Sequence, residues 1–166
     1  MESVLLVRRP TSADITSMAR VHAASWRETY RGVMRDAVLD DLDLVGRREH
    51  FWTAALTDPQ YAQNRIAVAE LDGALVGVAM AGPALDPDRG TTDQLYLLYT
   101  LAAVHGRGGG DALLEAVLDP GAATGLWVTD PNPRAQAFYR RHGFVGIESK
   151  VEDGVREVWM VRRPTV

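Results

Sequence analysis

Leu95-Tyr96-Leu97-Leu98-Tyr99-Thr100-Leu101-Ala102-Ala103-Val104-His105-Gly106-Arg107-Gly108-Gly109-Gly110 is the stretch on which the fold turns. An apolar, aromatic run with the character of a strand gives way to a glycine-dense turn that carries one arginine and opens into an amphipathic helix. Such a turn lays several backbone N–H groups around an anion, and the helix behind it adds about half a positive charge at its N-terminus. Glycine lets the chain approach a ligand closely and reach positive φ without steric cost. The stretch therefore predicts a phosphate-binding loop between a strand and a helix.

Two common phosphate loops are excluded by the residues that follow. A Walker A loop ends in Lys and then Ser or Thr, whereas Gly110 is followed by Asp111 and Ala112. The dinucleotide fingerprint wants a third glycine three residues after the second. Counted from Gly106 and Gly108, that place is Asp111. What remains is the pattern (Gln/Arg)-x-x-Gly-x-(Gly/Ala), here written His105-x-x-Gly108-x-Gly110. Glycine clusters also make plain turns, so the loop needs a second signature beside it.

That signature lies downstream. Leu126-Trp127-Val128-Thr129 reads as a short buried strand, followed by Asn132-Pro133-Arg134-Ala135-Gln136-Ala137-Phe138-Tyr139-Arg140-Arg141-His142-Gly143-Phe144. Asn132 suits an N-cap, Pro133 the first helical turn and Gly143 the C-terminal stop. The two blocks, in this order, resemble the GNAT superfamily of acyl-CoA-dependent N-acyltransferases. A third block, Ser25-Trp26-Arg27-Glu28-Thr29-Tyr30-Arg31-Gly32, is similar to the segment that roofs the acceptor site in many bacterial members. Those members usually continue with a proline near the position held here by Arg35.

The resemblance implies an α/β GNAT fold: a central mixed, mostly antiparallel sheet flanked by helices, with central strands that splay to admit the cofactor. It implies one N-acetyltransferase domain over residues 1–166. The cosubstrate would be acetyl-CoA, and the reaction direct attack by a primary amine on a small molecule or a protein. Gly106, Arg107, Gly108, Gly109 and Gly110, headed by His105, would hold the pyrophosphate, and backbone groups at Leu98 and Thr100 would pair with pantetheine like an added strand. Asn132 and Tyr139 would face the pantetheine arm, with Phe138 packed beneath. Tyr139 is the best candidate for proton donor to the leaving thiolate, since a phenol of pKa about 10 matches a thiol of about 8.5. The plainer reading of Tyr139 is a helix tyrosine packed beside Phe138.

The base is less well marked. Many members carry a Glu on the central strand at the position that falls here on Gln94. An amide accepts no proton at neutral pH, so Gln94 would orient a water or the acceptor amine. Trp26, Tyr30 and Tyr96 are the expected acceptor-pocket residues, and His22 or Glu28 could reach in from the roof. His22 sits on the apolar face of its helix, where a buried structural histidine is the commoner outcome. The acidic run Asp36, Asp40, Asp41 and Asp43 reads as the wet side of a helical region rather than a steering field.

Composition narrows the remaining classes. A chain of 166 residues is long enough for one domain with a real core. The net charge of −4, from 18 basic and 22 acidic residues, argues against nucleic acid as a partner. No run is long and apolar enough for a membrane span, and a cytoplasmic enzyme is expected. There is no cysteine, hence no disulfide or thiolate chemistry. His22, His50, His105 and His142 lack ligand spacing, and no metal is expected. Homodimerisation, common in the family, is the expectation for assembly. Two rival readings stay open: a catalytically degenerate acyl-CoA-binding regulatory protein, and a nucleotide-binding protein.

Hydrophobic periodicity and turn signals place the elements. Strands are predicted over 4–9, 65–71, 74–81, 91–101, 126–129, 144–149 and 155–162. Helices are predicted from Thr11 or Ser12 onward, over 35–44, 46–56, 108–118 and 133–142. Asp72-Gly73 and Asp153-Gly154 read as two-residue hairpin turns.

Overall fold

The predicted alternation folds into a single sheet with helices in a computed structural model that describes residues 3–165. The strands are β1 (Leu5–Arg8), β2 (Arg65–Leu71), β3 (Ala74–Pro83), β4 (Asp93–Thr100), β5 (Thr124–Asp130), β6 (Val145–Glu152) and β7 (Val155–Arg162). The helices are α1 (Ile15–Tyr30), α2 (Asp36–Leu39), α3 (Leu44–Thr57), α4 (Gly109–Val117) and α5 (Pro133–Arg141). The seven strands run in the order β1-β2-β3-β4-β5-β7-β6. β1–β2, β5–β7 and β6–β7 pair antiparallel, and β4–β5 pairs parallel. This is the mixed α/β GNAT sheet that the resemblance implies.

The β4–β5 ladder consists of two pairs, Asp93↔Thr124 and Gln94↔Gly125, and both strands run on past it. By contrast β5 pairs with β7 from Thr124↔Arg162 to Asp130↔Arg156.

By packing, the chain divides into two compact units: Met1–Met80 with Leu97–Val117, and Ala81–Tyr96 with Leu118–Val166. Residues 1, 2 and 166 at the ends of the expected single domain lie outside the described residues.

In the first unit, Thr11 and Asp14 close a 3-10 turn, Ser12–Asp14, that leads into α1, the Thr11 amide donating to Asp14 Oδ2 at 2.7 Å. The capping pattern precedes an apolar stripe in which Met18, Ala19, His22 and Ala23 are buried at helical spacing. α1 packs on α3, which contributes the fully buried Trp52. α4 packs on β1 and β2 through Leu113, Leu114 and Val117. Gly77 on β3 lets α4 approach the sheet, since a Cβ there would stand 2.9 Å from Leu113 Cδ1 and 3.2 Å from the Tyr99 carbonyl oxygen. Arg65 Nε donates to the Val117 carbonyl at 2.7 Å, satisfying an acceptor that the end of α4 leaves open.

In the second unit, β6 and β7 form a hairpin whose turn residues Asp153 and Gly154 have φ of 51° and 78°. That pair of positive φ values is the type I′ turn that matches strand twist. Trp159 on β7 covers Gly125 on β5, and α5 packs on β5 with Gln136 and Tyr139 buried.

Several boundaries differ from the sequence expectation, among them α2, which covers only Asp36–Leu39, and β6, which runs on to Glu152. A 3-10 turn, Ala102–Val104, intervenes between β4 and the glycine loop, where the apolar run looked like continuous strand. β5 begins two residues early, at Thr124, because Gly125 masks the strand pattern. β3 extends to Pro83, a proline tolerated at a strand end.

Candidate functional site

The glycine loop belongs to the first unit. After the 3-10 turn, His105 is extended, and its Nε2 lies 3.0 Å from the Thr100 carbonyl oxygen, bracing the loop against β4. Gly106 and Gly108 follow at φ +81° and +83°, a region that side-chain-bearing residues rarely enter. A Cβ on either would meet nothing within 4 Å, so the main chain is open on that side. The first intrahelical bond of α4 runs from the Ala112 amide to the Gly108 carbonyl at 3.1 Å. The amides of Gly108, Gly109 and Gly110 therefore have no acceptor inside the helix. Gly109 is buried, and a Cβ on it would lie 3.8 Å from Leu5. Arg107 is exposed and lines a shallow hollow with Ser3, Leu5 and Leu71. Open amides, a helix N-terminus and an exposed cation thus stand together in this loop, a combination that suits an anion.

On the same unit, Leu98 and Thr100 are half-buried near the end of β4. The Leu101 amide donates to the Val76 carbonyl at 2.9 Å, fixing this end of β4 to β3. Glu28 Oε2 accepts from the Ala102 amide at 2.7 Å, so its carboxylate closes the strand end rather than standing loose as a base.

Trp26 and Tyr30 are brought together on α1 with ring centroids 6.2 Å apart. Tyr30 Oη is 3.2 Å from Tyr99 Oη, and the His22 ring stacks on Tyr99 at 5.1 Å. Tyr99 escaped the sequence analysis. The signal available was strand alternation, which sets Tyr96 and Tyr99 on opposite faces of β4, so the aromatic meeting α1 is Tyr99. His22 is buried with Trp26, Phe51 and Trp52 around it, and burial, aided by the Arg48 charge, lowers its pKa to about 3. It stays neutral at physiological pH, as the structural reading expects. Asp36 and Asp40 pair with Arg31, and Asp41 and Asp43 pair with Arg47, so the charge of the acidic run is partly offset locally.

The second unit holds the other expected residues. Gln94 is buried, and its Oε1 accepts from the Leu85 amide at 3.1 Å, bracing the β3–β4 connection. Tyr96 Oη donates to the Pro83 carbonyl. Asn132 caps α5, its Oδ1 accepting from the Ala135 amide at 3.3 Å. Tyr139 is buried two residues before the helix end, between Phe138 at 5.3 Å and Phe144 at 5.8 Å. The Tyr139 carbonyl accepts from His142 and Phe144, both at 3.0 Å, which stops the helix and turns the chain toward β6. Gln136 Nε2 donates to the Thr129 carbonyl and to Asp130 Oδ1, tying α5 to β5.

Among the described residues there is no cluster of three or more His, Cys, Asp or Glu placed to hold a metal ion, and no helix is long and apolar enough to cross a membrane.

Comparison with known proteins bears on this arrangement directly. The model of the "Acetyltransferase (GNAT) family" matches residues 20–144, a span that takes in both the glycine loop and the Asn132–Phe144 block. The "Probable N-acetyltransferase Rv2775" of Mycobacterium tuberculosis (strain ATCC 25618 / H37Rv) is 30% identical over 151 residues, covering 86% of this chain and 80% of that protein. The "Uncharacterized N-acetyltransferase YuaI" of Bacillus subtilis (strain 168) is 29% identical over 144 residues, covering 84% and 79%. The fold is similar to the PaiA N-acetyltransferase of Thermoplasma acidophilum, solved with coenzyme A: TM-score 0.72, 18% identity, 96% of this chain and 99% of that one. It is also similar to yncA of Salmonella typhimurium, solved with acetyl-CoA, with a TM-score of 0.66, 17% identity and coverage of 97% and 94%. A family match over three quarters of the sequence, on a sheet and loop built as described, settles membership: the chain belongs to the acetyltransferase (GNAT) family and is an N-acetyltransferase.

Proposed function

We propose that residues 1–166 act as one acetyl-CoA-dependent N-acetyltransferase that transfers the acetyl group to a primary amine by direct attack. The observation that carries this reading is the loop in which Gly106 and Gly108, at positive φ, open the main chain ahead of α4. Its donors suit a diphosphate: amides of Gly108–Gly110, the α4 dipole and the Arg107 guanidinium. The residues present thus fit coenzyme A, which when bound supplies an activated thioester.

The chain's own groups divide the remaining work. Gly106–Gly110 and Arg107 bind the diphosphate, and His105 holds the loop in register with Thr100. The backbone at Leu98 and Thr100 orients the pantetheine as an added strand, and an amide of β4 donates to the thioester carbonyl oxygen, favouring the negative charge that develops there. The Asn132 side-chain amide accompanies the pantetheine arm. Tyr139 Oη delivers its proton to the departing sulfur. Trp26, Tyr30 and Tyr96 line the acceptor side. Gln94 positions a water or the amine, and the amine's proton leaves through water, since Glu28 is engaged at Ala102 and His22 is too weak a base.

The test is thiol release from acetyl-CoA across a panel of amines, paired with calorimetric binding of coenzyme A. Turnover is expected on at least one amine, and Tyr139→Phe should lower kcat by about 10²–10⁴ with coenzyme A binding nearly unchanged. An unaltered kcat removes Tyr139 from the proton-donor role. One observation favours a second reading, a degenerate acyl-CoA-binding regulator: Gln94 stands in the expected base position with its oxygen committed to Leu85. Tight binding of coenzyme A with no turnover on any amine selects that alternative.

A further inference from the structure

We infer that the acceptor carries a carboxylate next to its amine, and that Arg48 on α3 reads it. The inference takes from the proposed function only that Trp26 and Tyr30 face an acceptor. Arg48 lies with its guanidinium carbon 5.0 Å from the Trp26 ring centroid and 5.3 Å from that of Phe51. It is partly buried, and its Nε has no hydrogen-bond partner. Arg8, Arg31, Arg47, Arg89 and Arg156 each hold a carboxylate, whereas among the described residues Arg48 has no ion pair, a state it shares with Arg162, whose Nε is likewise unpartnered beside Phe144. An arginine does not shed its charge, so a guanidinium set among rings with no counter-ion is held at a cost that an incoming anion relieves.

A second observation points the same way. His22 Nδ1 and Trp26 Nε1, on rings 5.4 Å apart on the same helix face, are buried polar atoms with no partner. Ser25 Oγ, on the turn between them, is another, in a residue only 1% exposed. Buried polar atoms are seldom left unsatisfied, and here several gather along one stretch of α1 beside a partly buried cation that has ring contacts but no carboxylate. A planar, singly charged carboxylate matches the fork of a lone guanidinium, while the surrounding Trp26, Phe51 and Tyr99 rings suit an apolar side chain. The site therefore fits an amino acid or an amine of similar build.

The experiment measures binding of matched pairs to the intact protein, by calorimetry and by quenching of tryptophan fluorescence, with and without coenzyme A. The probes are L-phenylalanine against phenethylamine and L-leucine against isopentylamine. At least one amino acid should bind about 10- to 100-fold more tightly than its decarboxylated twin, the range expected of a charge-assisted pair. Arg48→Met should erase that preference, and Arg48→Lys should keep part of it. Twins that bind alike, or a preference that survives in Arg48→Met, overturn the proposal. So does a purely structural Arg48, whose loss would lower the melting temperature and leave the preference intact. A carboxylate supplied instead by the acyl group would show as an Arg48→Met loss of affinity for succinyl-CoA without any loss for the amino acids, which also overturns it. Binding without cofactor needs no turnover, so failure of the acyltransfer reading would appear separately, as wild-type protein that does not bind coenzyme A.

Discussion

His22 shows how a single buried side chain can set an acid limit on this protein. It is 2% exposed, enclosed by Trp26, Phe51, Trp52 and Tyr99, and its pKa falls from 6.5 to about 3, chiefly through desolvation and secondly through Arg48. The unfolded chain takes up the proton near pH 6.5 and the folded chain does not, so between those values the unfolded state binds more protons. Stability therefore rises with pH across that window and is lost as the medium is acidified, by up to about 1.4 kcal/mol per pH unit. Asp14 acts lower: its carboxyl, held by Arg8, drops from 3.8 to about 2, and its contribution disappears only as pH falls through that range. The interval from pH 6.5 to 4 thus separates the two. Urea unfolding at a series of pH values should show a slope there in the wild type that His22→Leu flattens. Equal slopes in both proteins would mean that His22 is solvated in the native state. The same burial denies His22 a part in proton transfer.

At the scale of elements, β5 is the strand whose construction is least evident from its residues. Gly125 pairs with Gln94 on one side and Val161 on the other, and any Cβ on it would overlap the Trp159 ring. Gly125→Ala should cost about 1–3 kcal/mol through overpacking, read as a lower urea midpoint with unchanged m, and Gly125→Ala combined with Trp159→Leu should recover part of it. A neutral Gly125→Ala would show that the ring moves aside freely. This contact explains why the sequence places the strand two residues late. A glycine weakens strand character in isolation, and only the ring packed over it, distant in the chain, makes it the right residue. Elements whose determinants are local were legible: the α1 start at Thr11–Asp14, the Asp72-Gly73 and Asp153-Gly154 turns, the Asn132-Pro133 cap and the glycine loop. The 3-10 turn at Ala102–Val104 was not, because Leu101, Ala102, Ala103 and Val104 continue the apolar run without a breaker. The candidate site divides along the same line. The loop and the Tyr139 block announce themselves as contiguous motifs. Arg48 and Tyr99 gain their significance from α3 and β4 meeting α1, which no spacing along the chain encodes.

For the whole molecule, the question is whether the two compact units respond to a ligand as one. Gly106–Gly110 belong to the first and Tyr139 to the second, so the proposed function assigns coenzyme A residues in both. A ligand that binds the folded chain alone stabilises it by about 2.7 kcal/mol at a hundredfold excess over Kd, and for a domain of this length that corresponds to about 5–10 °C in melting temperature. Calorimetric melting with coenzyme A should show one transition displaced by that amount. ATP and NAD⁺ at the same excess over the Kd for coenzyme A should displace it far less, because the loop lacks the Walker lysine and the third dinucleotide glycine. Two separated transitions, of which only one shifts, would mean that the chain does not act as a single cooperative domain and that the residues assigned in the other unit contribute little to binding. A larger shift with ATP or NAD⁺ than with coenzyme A would instead reassign the loop to nucleotide binding. A single displaced transition ties loop, sheet and α5 into one ligand-linked equilibrium, and the net charge of −4 makes a merely electrostatic origin of the shift unfavourable for so acidic a ligand.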